Sequence, residues 1–79
     1  MTKAIKILGT GCPKCKTLTE LVQNVVAENH IDATIVKVED IMEIVAFNVI
    51  STPALVVDDV VAVYGRIPTK DEVLAILNQ

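Results

Sequence analysis

The stretch Lys3-Ala4-Ile5-Lys6-Ile7-Leu8-Gly9-Thr10-Gly11-Cys12-Pro13-Lys14-Cys15-Lys16 decides the fold. Lys3 to Leu8 is a short run with β-branched isoleucines, ended by Gly9-Thr10-Gly11, and reads as a strand followed by a tight loop. Pro13 suits a first helical turn, where its missing N–H would have had no partner anyway. Beyond it Leu18, Leu21, Val22, Val25 and Val26 recur at helical spacing, with Thr17, Glu20, Gln23 and Asn24 between them. This is the apolar stripe of an amphipathic helix from Pro13 to about Asn29.

Outward from there, Ala33 to Val38 reads as a second strand, completing a βαβ unit whose crossover is right-handed by rule. Asp40 and Glu43 form a capping-box-like pair opening a short helix, with Ile41, Ile44 and Val45 inward and Asn48 as a left-handed terminator. Ser51-Thr52-Pro53 leads into the strand Ala54 to Val57, and Asp58-Asp59 separates it from Val60 to Tyr64, a hairpin. Thr69 and Glu72 make a second capping box, and Val73, Ile76 and Leu77 give the stripe of a last helix. The order is βαβαββα. Phe47 and Tyr64 are expected in the core, and Gly65 at a strand end that needs unusual backbone angles.

With 79 residues there is room for one domain, spanning 1–79. At 52% hydrophobic the chain is too apolar for a disordered tail. One Phe, one Tyr and no Trp leave a core of Val, Ile, Leu and Ala. Seven Lys and Arg against ten Asp and Glu give a net charge of -3 without a basic cluster, which argues against nucleic acid and anionic membranes as partners. The apolar runs fall well short of the roughly 18 residues that span a bilayer. Met1-Thr2-Lys3 runs straight into a strand, so neither a signal peptide nor an anchor is expected, and a cytoplasmic location follows.

Both cysteines lie in one window, Cys12-Pro13-Lys14-Cys15, where a disulfide closes almost no loop and so cannot serve as a staple. In a helical register from Pro13, Cys12 is the N-cap and Cys15 lies on the same side, close enough for a disulfide that opens and closes without moving the fold. Cys12 faces unsatisfied N–H groups and the positive end of the helix dipole, and Lys14 and Lys16 add positive charge nearby. A depressed pKa makes it the attacking thiolate. Cys15 begins the buried stripe and resolves. The expected chemistry is thiolate exchange through a mixed disulfide.

A C-x-x-C is also half of a four-ligand zinc site, but His30, the sole histidine, stands at the far end of the first helix. The alternative function is a soft-metal carrier binding copper(I) or arsenic(III) through the two thiolates. Such domains end on a strand, whereas this chain ends on a helix. An interaction module with inert cysteines is the third reading, opposed by the liability of exposed thiols.

Cys-Pro-Lys-Cys at a helix start after a first strand, with Ser51-Thr52-Pro53 opening the first hairpin strand, resembles the thioredoxin-like superfamily. Gly9 to Lys16, Ser51-Thr52-Pro53-Ala54-Leu55 and Gly65-Arg66-Ile67-Pro68 are similar to the small redox-active disulfide proteins, glutaredoxin-like in size. The resemblance implies an α/β thioredoxin-like fold, a four-stranded mixed sheet flanked by three helices, with Pro53 in cis and facing the cysteines. It implies a thiol-disulfide oxidoreductase in which Cys12 and Cys15 are catalytic. Gly11, Pro13, Ile50, Thr52, Pro53, Arg66 and Ile67 would line the groove, with Thr52 pairing its backbone with an extended substrate segment. The expected partners are disulfide-containing proteins and a thioredoxin-reductase-like electron donor. Gly65 is followed by Arg66 rather than a second glycine and an acidic pair, so no glutathione or other cofactor is expected. Lys3 to Leu8 holds no carboxylate, so the Cys15 proton leaves by water, Lys6 or another group.

Overall fold

The computed structural model describes residues 2–10, 13–49 and 51–78. The elements run β1 (Lys3–Leu8), α1 (Pro13–Glu28), β2 (Ala33–Val38), α2 (Ile41–Ala46), β3 (Ala54–Val57), β4 (Val60–Tyr64) and α3 (Lys70–Leu77). The strands form one sheet in the order β2-β1-β3-β4. β1 pairs parallel with β2 and antiparallel with β3, and β3 pairs antiparallel with β4. This is the α/β, four-stranded mixed sheet with three helices that the sequence led us to expect.

Side chains alternate across the sheet, and the two faces hold different cores. Ile5, Ile7, Leu55, Val57 and Val63 pack with Leu18, Val22 and Val25 of α1 and Val73 and Leu77 of α3. Leu8, Val38, Ala54 and Val56 pack on the other face with Ile44 of α2 and Val49. The stripe of α1 is thus buried as its periodicity dictates. Across the face it shares with α3, the Lys70 ammonium pairs with the Glu28 carboxylate.

Local chemistry ends the elements. His30 and Asn48 follow α1 and α2 with φ of 52° and 61°, the left-handed geometry that ends helices. Asp40 caps α2 by accepting from the Met42 N–H at 2.9 Å, and Thr69 and Glu72 form a full reciprocal box at α3. Asp58 and Asp59 have φ of 50° and 66°, the two positive values of a type I′ hairpin turn.

Two core expectations are corrected. Ile41 and Val45 of α2 are 64% and 59% exposed, and within the helix only Ile44 is buried. The helix has six residues, Val45 lies about 100° round from Ile44, and Phe47 and Val49 beyond the helix fill the inward space instead. Tyr64 is 61% exposed rather than core. It ends β4, an edge strand whose register shifts between Leu55/Val63 and Val56/Val61, leaving Ala62 as the extra residue of a bulge.

Candidate functional site

The sheet register assembles one end of the molecule. Leu8 pairs with Val38 and with Ala54, and Ala54 pairs with Tyr64. One step further along each strand stand Glu39, Gly9, Pro53 and Gly65, side by side across the four strands. The Gly9 N–H donates to the Val38 carbonyl at 3.0 Å, and the Gly65 N–H to the Pro53 carbonyl at 3.0 Å. Residues far apart in sequence meet here because strand pairing aligns the strand ends.

Cys15 sits at this end as the third residue of α1, 6% exposed and disulfide-bonded. Cys12, the other cysteine of the sequence, lies outside the described residues, as do Gly11 and Ile50. A Cβ on Gly9 would collide with the Cys15 sulfur and stand 3.1 Å from the Cys15 Cβ. The absence of a side chain is what admits the sulfur. The buried Thr19 hydroxyl donates to the Cys15 carbonyl at 2.9 Å, satisfying its own polar atom within the helix. Pro13, Lys14 and Lys16 are exposed on the first turn.

Between the first turns of α1 and the end of β2 lies a cavity of about 50 Å³, bounded by Gly9, Cys15, Thr19, Lys16, Lys37 and Glu39. Lys37 and Glu39 were not singled out by sequence reasoning. Their signal is parity: Ile35 and Lys37 alternate along β2, Glu39 follows in step just past its end, and the register Ile7 to Lys37 puts them on the α1 face. That register is not readable before the strands are paired. Lys6 is corrected as a proton outlet for Cys15. It points to the α2 face, where its ammonium lies 3.5 Å from Asp59 and 5.3 Å from the centre of the Phe47 ring.

On the other flank, the Thr52-Pro53 peptide is cis, with Pro53 buried and Thr52 exposed. Gly65 has φ 74°, and a Cβ there would approach the Ser51 Cβ to 3.2 Å. Arg66 turns away to α3 and grips Glu72 with two hydrogen bonds of 3.1 and 2.7 Å. The Arg66 guanidinium, with the Thr69 N–H, holds the Glu72 carboxyl down to about 2. This grip fixes the segment 65–68, whose Ile67 is exposed and Pro68 buried.

Among the described residues, no three or more His, Cys, Asp or Glu gather to hold a metal ion, and no helix is long and apolar enough to cross a membrane.

The chain matches the family model "Thioredoxin domain" over residues 3–78. It is 48% identical over 69 residues to a protein named thioredoxin from Methanocaldococcus jannaschii, covering 87% of this chain and 79% of the relative. It is 34% identical over 74 residues to a thioredoxin from Methanothermobacter thermautotrophicus, covering 94% and 96%. Neither likeness supports the soft-metal carrier. With a cysteine buried and disulfide-bonded at a helix start, and with the family model matched over residues 3–78, this chain belongs to the thioredoxin domain family as a small thioredoxin-like redox protein.

Proposed function

We propose that the chain is a cytoplasmic thiol-disulfide oxidoreductase acting on protein disulfides. The observation that carries this reading is the oxidised Cys15, buried at the start of α1 against a glycine that leaves room for its sulfur. Cys12 attacks a substrate disulfide as thiolate and forms a mixed disulfide. Cys15 then attacks the Cys12 sulfur, closing the Cys12-Cys15 disulfide and releasing the substrate thiol. Burial suits Cys15 to the second role, because a shielded thiol meets few substrates but remains beside its own neighbour.

Thr52, Pro53, Gly11, Pro13, Ile50, Arg66 and Ile67 form the substrate groove in this reading. The alignment of Gly9 and Pro53 at adjacent strand ends supports it. The Glu72 grip leaves Arg66 to shape the rim rather than to bind charge. A reductase of the thioredoxin-reductase kind supplies electrons, and the protein works without glutathione, nucleic acid or membrane.

The test is an equilibrium redox titration in thiol buffers, with free thiols alkylated and counted by mass and total metal assayed in parallel. A reversible two-thiol transition with a slope of about 30 mV per tenfold change in poise is expected. The absence of a reversible disulfide would sink the reading.

A further inference from the structure

Cys15 can attack only as a thiolate, and it is 6% exposed, so its proton must leave through the protein. A cavity lies beside it. Its volume of about 50 Å³ is several times the roughly 10–15 Å³ that one water needs. Three charged groups face it: Lys16 from α1, Lys37 from β2, and Glu39 one residue beyond the end of β2. β1 contributes Ile7 and Gly9, and its Lys6 points to the opposite face. Of the three, an ammonium group has hydrogens to donate and no acceptor atom, and the carboxylate is the one acceptor.

We propose that Glu39 accepts the proton of the Cys15 thiol through water admitted to this cavity, and that Lys16 and Lys37 stabilise the thiolate left behind. The inference rests on the oxidoreductase reading above. In the step, the Cys15 S–H bond breaks and its proton passes to the Glu39 carboxylate. The thiolate forms a bond to the Cys12 sulfur, the bond between Cys12 and the substrate sulfur breaks, and the substrate leaves as a thiolate that takes a proton from water. The cysteine pair loses two electrons and the substrate gains them. Glu39 is itself exposed, so it returns its proton to solvent. Strand pairing fixes its place: the Gly9 N–H to Val38 carbonyl bond holds the end of β2 beside the glycine that cradles the sulfur.

The experiment follows both phases of exchange between the reduced full chain and a peptide disulfide carrying a fluorophore and a quencher, from pH 5.5 to 9.5. Mixed-disulfide formation and release of the second thiol are timed separately, by fluorescence and by acid trapping with mass analysis. Glu39→Gln should slow the second phase relative to the first by about a hundredfold at pH 6 to 7, the lower end of positioned proton transfer. The difference should close at high pH, where the thiol ionises unaided, and Glu39→Asp should recover part of the rate. Removing a negative charge with no proton-accepting role would instead lower the Cys15 pKa and speed the second phase. A faster second phase, or a pH profile equal to that of the wild type, overturns the role of Glu39. A wild-type chain that never enters the first phase overturns the oxidoreductase reading itself.

Discussion

The sulfur of Cys15 lies where a Cβ at Gly9 would have to be. Strand β1 is therefore followed by the one residue type that lets helix α1 seat its first turn against the sheet. Gly9→Ala forces the two apart, and the neighbouring Val38 carbonyl bond holds the Gly9 backbone against yielding. Overpacking of this kind costs about 1–3 kcal/mol. Thermal unfolding of the oxidised protein should show it as a midpoint several degrees lower. Adding Cys15→Ala should make the same Gly9 change much less costly, which a double-mutant cycle reads directly.

In the proposed mechanism Cys12 supplies the attacking sulfur, so Cys12→Ser should abolish exchange. Cys15→Ser should leave attack intact and accumulate mixed disulfides on Cys12, visible by mass after acid quenching. Full turnover by Cys15→Ser would show that the two roles are assigned wrongly.

The Glu72 carboxyl is lowered to about 2 by Arg66 and the Thr69 N–H. A depressed folded-state value means that the unfolded chain takes up its proton first. The stabilisation is therefore complete above pH 4.5, the ordinary value of the group, and is lost as pH falls towards 2. Urea midpoints measured between pH 7 and 2 should fall less steeply in Glu72→Gln than in the wild type. Parallel curves would show that the pair with Arg66 contributes nothing.

Asp58 closes the hairpin onto β1. Its carboxylate accepts from the Ala4 N–H at 2.9 Å, while its own N–H donates to the Ala4 carbonyl at 2.8 Å. Asp58→Ala removes the first bond and leaves a β-carbon residue at φ 50° without the side chain that favours it. A loss of about 1–2 kcal/mol is expected by chemical denaturation, and Asp58→Gly should recover part of it through its freedom at positive φ.

The apolar stripe of α1, the cap at Asp40, the box at Thr69 and the turn at Asp58-Asp59 were legible in the sequence because each rests on neighbours within a few residues. Ile41, Val45 and Tyr64 were misplaced because burial depends on what lies opposite. A six-residue helix has one inward position here, and the bulged edge strand leaves its last side chain in solvent.

By itself the sequence determined the element order and the place of Cys15 in the first turn of a helix, since these follow from local spacing and intrinsic chemistry. Only the tertiary structure decided which residues stand beside Cys15. The register of β2 on β1 set Lys37 and Glu39 on its side. A slip of β2 by one residue would turn both to the opposite face, because side chains alternate across a strand. The surroundings of the sulfur are thus a property of strand pairing, which residues near each other in sequence do not encode.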